Sequence, residues 1–150
     1  MYFWRIEKLK SQMAARSLSE RETLPYFVAF SAISSIILPQ TNYNLWDGLG
    51  TSWSVMLAVV GTVYVFRENG GAVGKHFLQR YFAIGWVVGI RWLVTLVIVA
   101  VAFYGTLMTM NIDTESTSWH DFLFAAVAET GLYWRLGYHV RDLAKRARSA

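Results

Sequence analysis

Apolar residues in this chain are grouped in four long runs separated by short polar segments. A helix needs about 20 mainly apolar residues to cross a hydrocarbon core about 30 Å thick. The runs approach that length and predict four transmembrane helices, at about residues 24–40, 49–66, 81–110 and 119–140. The sequence therefore predicts an all-α integral membrane protein that forms one membrane domain over residues 1–150.

The polar segments between the runs contain turn signals. Asn69-Gly70-Gly71 follows the second run and is expected to end that helix, because Asn and Gly accept the left-handed conformation of a C-terminal cap.

Residues 1–23 carry scattered charges and lack the apolar stretch of a cleaved signal peptide. Phe3, Ile6, Leu9 and Met13 form an apolar stripe beside basic residues, which predicts a short amphipathic helix on an anionic inner membrane surface. A partly disordered basic tail is the alternative interpretation.

Basic residues are distributed unevenly between the two sides of the predicted membrane. Thirteen of the 14 fall before the first run, between the second and third, or in the last turns of the fourth run and the 141–150 tail; the exception is Arg91. The two remaining loops contain no Lys or Arg. Cytoplasmic loops are enriched in these residues, so both termini are expected in the cytoplasm, with an even number of crossings. The pattern fits a bacterial inner membrane.

Composition agrees with membrane insertion. Hydrophobic residues make up 55% of the chain and charged residues 16%, against about 25% charged in an average soluble domain. Without Cys there is no disulfide, thiolate nucleophile or Cys-based metal site. The net charge of +4 is explained by topology, so no nucleic-acid partner is expected.

The three histidines do not predict a haem or metal site. His120 falls at the outer end of the predicted bundle, whereas His76 and His139 fall at the inner end. No cofactor, metal or catalytic constellation is therefore expected, and an enzymatic role is the less favoured interpretation.

Small residues mark the expected helix-packing faces, because they let helix backbones approach closely in lipid. They are Gly50, Ser54, Ala58 and Thr62 in the second run, Ser31 and Ser35 in the first, and Gly85 and Gly89 in the third.

Arg91 and Glu129 are charged residues inside predicted spans, where an isolated charge is costly. Counting about 1.5 Å per residue from the nearest boundary places them at similar depths on neighbouring antiparallel helices. We therefore expect an Arg91–Glu129 ion pair. It would either fix helix register or form a functional site for a proton, an ion or an anionic ligand.

Arg135 and His139 are four residues apart near the inner end of the fourth run. They could contact an anion or a lipid headgroup, or they could be cations that extend toward the membrane surface at a helix C-terminus.

These features favour a non-catalytic accessory or assembly subunit, or a homo-oligomeric membrane component. Its expected partners are membrane lipids and either itself or another membrane protein. The alternative is a small oligomeric channel or transporter that uses Arg91 and Glu129. A lipid-modifying enzyme would have only Glu129, Arg135 and His139 to work with.

Overall fold

The computed structural model describes residues 4–16, 18, 22, 26, 44–112 and 116–149. The protein is all-helical over these residues, with four α-helices and one short 3-10 turn. They are α1 (Ile6–Ala15), α2 (Leu45–Glu68), the 3-10 turn (Gly71–Val73), α3 (Phe77–Thr109) and α4 (Trp119–Ser149).

Both ends of α2 are determined by local sequence. At its start the Asn44 side chain accepts hydrogen bonds from the amides of Trp46 and Asp47, at 2.8 and 3.2 Å, while Asp47 accepts one from the Asn44 amide at 2.8 Å. This is a capping box. Beyond its end, Gly70 and Gly71 adopt φ values of +107° and +57°, which favour glycine. The predicted end of the second helix is confirmed.

Two helices, α2 and α3, are long and apolar enough to cross a membrane. Only 17% and 11% of the residues in their most apolar stretches are buried within the protein. A core helix of a soluble protein would bury most of such a stretch, so α2 and α3 are candidate membrane spans by length and composition. The runs predicted at 49–66 and 81–110 correspond to α2 and α3.

The other two predicted spans are not identified as candidate membrane helices. The span at 24–40 lies almost entirely outside the described residues. The span at 119–140 is helical, as the first part of α4, but it carries Asp121, Glu129 and Arg135, and α4 does not join α2 and α3 as a candidate span. Four crossings therefore stay a prediction. The 141–149 segment, expected as a basic tail, continues the same helix.

In the described part of the chain, α4 is the central helix, packing against α1, α2 and α3. The contact with α2 is the most extensive. Polar contacts at successive heights show that α2 and α4 run parallel: Asn44 to the Thr117 carbonyl, Ser54 to Glu129, and Glu68 to Arg141. The helix α3 runs antiparallel to both, as the short connections require.

The helix α1 forms where the amphipathic pattern predicts it, but its apolar stripe faces protein rather than lipid. Ile6, Leu9 and Met13 are buried in one cluster with Ile84 of α3 and Val140 of α4. Burying these side chains against two helices removes the apolar surface that was expected to lie on the membrane.

Close approach between α2 and α4 depends on glycines that face aromatic rings. A methyl group at Gly61 would collide with the Tyr133 ring, and one at Gly137 would collide with the Tyr64 ring. Each helix therefore contributes one aromatic ring that packs against a glycine backbone of the other: Tyr133 of α4 on Gly61, and Tyr64 of α2 on Gly137.

The predicted small-residue face of α2 is used only in part for packing between the described helices. Ser54 and Thr62 make contacts with α4 and α3, but a methyl group added at Gly50 would meet no atom of the described part of the chain within 4 Å, and Ala58 is exposed. The buried contact face lies at positions 57, 61 and 65 instead. Ser31 and Ser35 lie outside the described residues.

Candidate functional site

Ser54 and Glu129 meet at the interface between α2 and α4. The Ser54 hydroxyl donates to the Glu129 carboxylate at 2.7 Å, and both side chains are partly buried. Nine residues separate Ser54 from the start of α2 and ten separate Glu129 from the start of α4, about 14 and 15 Å along the helices. A carboxylate thus lies well inside the helical bundle, with a hydroxyl as its hydrogen-bond donor.

The structure does not contain the predicted Arg91–Glu129 ion pair, because the two side chains have different partners. The Arg91 guanidinium lies 5.7 Å from the ring centroid of Trp4. The neighbour of Glu129, Ala128, faces α3 and accepts a hydrogen bond from the Trp92 indole at 2.9 Å. One residue further along a helix the side chain points about 100° away, so Glu129 faces α2 instead.

Three hydroxyl groups lie one to two turns from Glu129, toward the inner end. The Thr62 and Tyr81 hydroxyls are 3.3 Å apart, across α2 and α3. Tyr133, one turn along α4 from Glu129, packs its ring against Gly61 of α2, and its hydroxyl lies near those of Thr62 and Tyr81. Ser54, Glu129 and these hydroxyls form a polar track between three helices.

Arg135 and His139 have separate surroundings. The Arg135 side chain is exposed, and its guanidinium lies 5.8 Å from the ring centroid of Trp92. His139 is half-buried, and its Nδ1 atom is enclosed with no hydrogen-bond partner among the described residues. Of this pair, Arg135 is the side chain positioned to meet an anion outside the bundle.

An ionic cluster that the sequence did not predict holds α1 against α4. Lys10 is only 1% exposed, and its amino group lies 2.7 Å from Asp142 and 3.0 Å from Glu7. Arg146 binds the same two carboxylates, at 2.9 and 3.0 Å. Two cations and two anions therefore alternate across the helix contact.

The cations of this cluster lower the carboxyl pKa values. The hydrogen bond from Lys10 is the main cause that holds the pKa of Asp142 below its usual value, and it lowers the pKa of Glu7 in the same way. A signal for the cluster was present in the sequence: Lys10 follows Ile6 by four residues and therefore shares the apolar face of α1.

Polar groups at the start of α4 are used for helix capping. The amide and hydroxyl of Ser118 donate to one oxygen of Asp121 at 2.9 and 2.7 Å, and Tyr104 donates to the other at 2.6 Å. The Ser118 hydroxyl lies 2.8 Å from the His120 ring but donates directly to Asp121. In a catalytic triad the serine donates to the histidine and the carboxylate orients that histidine, so these three residues do not have that arrangement. Within the described ranges, no three His, Asp or Glu side chains lie close enough together to hold a metal ion.

Comparison of the chain with protein-family models, with curated proteins and with solved structures gives no match. Function has to be argued from the geometry of this molecule.

Proposed function

We propose that this chain is an integral membrane protein whose role is to associate with other membrane proteins rather than to catalyse a reaction. Membrane insertion is supported by α2 and α3, whose apolar side chains face outward; Val59 and Val101 are 62% and 71% exposed. Soluble monomers rarely expose apolar patches of this extent, whereas lipid covers them without cost. The uneven distribution of Lys and Arg supports a cytoplasmic location for both ends, in a bacterial inner membrane.

The main support for the association role is the groove beside Gly85 and Gly89. It has a volume of about 300 Å³ and lies between α3 and α4, with Trp86 and Leu93 among its walls. A methyl group at Gly89 would meet no atom of the described residues within 4 Å, and one at Gly85 would be in ordinary contact with Leu136. This small-xxx-small face thus retains room for the close approach of another transmembrane helix.

The proposal predicts that bulk at Gly89 disrupts a complex. Purified in mild detergent from native membranes, the wild-type protein should form a particle that contains a second copy or a second protein. Gly89→Leu should reduce that particle to a single chain. Gly105→Leu is the matched control, since Gly105 lies on the same helix and is equally open. A lone wild-type chain, or a complex that survives Gly89→Leu, would contradict the association role.

A second candidate function, a small oligomeric channel or transporter, is favoured by the polar track. With Arg91 directed elsewhere, it rests on Glu129 and the hydroxyls of Ser54 and Tyr133. Ionisable groups inside membrane segments commonly mark ion or proton pathways. Glu129→Gln should then change a flux into liposomes, whereas an unchanged flux across a broad set of ions would remove this candidate.

A further inference from the structure

A second and larger groove lies between α3 and α4, nearer the start of α4 than the first groove, with which it shares Trp92 and Leu96. Its volume is about 670 Å³, and it extends from Trp119 at the start of α4 to Trp134. These two residues are 15 positions apart, about 22 Å along the helix. Its walls are almost entirely apolar, with Val99 and Phe103 on α3 facing Leu123 and Val127 on α4.

The walls of this groove are open to the surroundings of the protein. Val127 is 72% exposed, Trp134 is 69% exposed and Leu123 is 48% exposed. One leaflet contributes about half of a hydrocarbon core about 30 Å thick, so an acyl chain of one leaflet fits within the groove's length. Trp119 and Trp134 lie at its two ends.

The positively charged side chain of Arg135 lies at the inner end of the groove. Arg135 follows Trp134 directly, and its guanidinium lies over the ring of Trp92, which also lines the groove. No acidic side chain in the described part of the chain lies within 4 Å of Arg135, in contrast to Arg141 and Arg146, which both have carboxylate partners. The positive charge of Arg135 is therefore available to a negatively charged group.

The Trp92 platform beneath Arg135 is held in place by α4. Its indole donates to the Ala128 carbonyl at 2.9 Å. Its ring occupies the space above Gly131, where a methyl group would approach it to 2.7 Å. The groove and the cation at its end are thus both formed by side chains with fixed positions.

We propose that this groove binds an anionic phospholipid of the inner leaflet, with an acyl chain between α3 and α4 and the headgroup phosphate at Arg135. The inference rests on the proposed membrane location but does not depend on the association role. The net charge of the headgroup selects the lipid class, because a zwitterionic headgroup carries the same phosphate but offsets its charge with its own ammonium group.

Native mass spectrometry of the delipidated full-length protein tests this site. Phosphatidylglycerol should bind more tightly than phosphatidylcholine, and Arg135→Gln should weaken phosphatidylglycerol binding about fivefold, the effect of one basic residue near an anionic headgroup. Arg148→Gln is the control, since it removes the same charge from the same helix away from the groove.

Val127→Trp should fill the groove and weaken binding of both lipids. Both altered side chains, Arg135 and Val127, are exposed, so the variants should fold.

Four results would overturn the proposal. Equal binding of the two lipids would remove the charge selectivity, and an equal loss for Arg135→Gln and Arg148→Gln would show a general charge effect. Full competition by inorganic phosphate would identify an anion site without an acyl-chain groove. A second copy of the chain in the groove would appear as a dimer that excludes lipid. Failure of the association role is recognised separately, because Gly89→Leu alters the other groove.

Discussion

At the scale of single residues, the contact between α2 and α4 depends on glycines that leave space for rings. Gly137 accommodates Tyr64, and an added methyl group would collide with that ring. Gly137→Ala should therefore destabilise the protein by about 1–3 kcal/mol, the usual cost of overpacking. The measurement is the thermal unfolding midpoint in detergent micelles.

Gly105→Ala is the control for this prediction. Gly105 lies in α3, and a methyl group added there would meet none of the described atoms within 4 Å. Alanine is more favourable than glycine inside a helix by about 1 kcal/mol, so this variant should be as stable as the wild type or more stable. Equal stability of Gly137→Ala and Gly105→Ala would contradict the ring-against-glycine account.

A double-mutant cycle should detect the bond between Ser54 and Glu129. Polar contacts between membrane helices contribute about 0.6 kcal/mol on average and up to about 1.7 kcal/mol. Ser54→Ala and Glu129→Ala should be non-additive by an amount in this range, measured from unfolding in detergent. The cycle of Arg91→Ala with Glu129→Ala should be additive, because the two side chains contact different partners. Coupling between Arg91 and Glu129 without coupling between Ser54 and Glu129 would contradict the structure and favour the predicted ion pair.

Residue depth is predictable from sequence here, whereas residue direction is not. Arg91 and Glu129 were expected at comparable depths, and Trp92, the neighbour of Arg91, does contact Ala128, the neighbour of Glu129. Neighbouring residues on a helix point about 100° apart. A one-residue error in predicting which positions face α3 is therefore enough to assign Glu129 to α3 when its side chain faces α2. Periodicity in a span that is apolar all round does not contain that information.

At the scale of helices, element positions follow closely from the apolar runs and caps. The runs at 49–66 and 81–110 lie within or almost within α2 and α3, and the Asn-Gly-Gly segment does end α2. The fourth run was expected to end at residue 140, where charges begin. The helix continues because Leu143 and Ala144 are buried, and Leu143 belongs to the same cluster as the apolar stripe of α1. A tertiary contact, which local hydropathy does not report, extends this element.

Attachment of α1 should depend on acidic pH. The pKa values of Asp142 and Glu7 are lowered in the folded protein, chiefly by hydrogen bonds from Lys10. Their contribution to stability is therefore complete above the unfolded values, about 4, and is lost as the pH falls through the lower folded values. Hydrogen exchange in α1, corrected for intrinsic rates, should accelerate below about pH 4 relative to exchange in α4.

Asp142→Asn separates this effect from general acid unfolding. The variant loses one titrating partner of the buried Lys10, so α1 should exchange faster at neutral pH and respond less to acid. Exchange in α1 that follows the rest of the protein at every pH, in both proteins, would contradict a specific role for the cluster.

At the scale of the whole molecule, the arrangement of helices is the part that the sequence does not predict. The helix α4 is the least apolar of the three long helices, yet it makes the most extensive contacts, with α1, α2 and α3. Its parallel pairing with α2 joins segments that α3 separates in the chain. In lipid the hydrophobic effect does not determine which helices pack together. The pairing of α2 with α4 therefore depends on particular contacts, such as Glu129 with Ser54 and Tyr133 with Gly61.

The central claim is that α2 and α3 cross a membrane with α1 and the α2–α3 connection on the cytoplasmic side. The absence of Cys makes single-cysteine labelling direct. Lys8→Cys, Lys75→Cys and Ser116→Cys should be probed with a membrane-impermeant maleimide in right-side-out and inverted vesicles. The account predicts labelling of positions 8 and 75 from the cytoplasmic side and of position 116 from the opposite side. Labelling of positions 75 and 116 from the same side would contradict it.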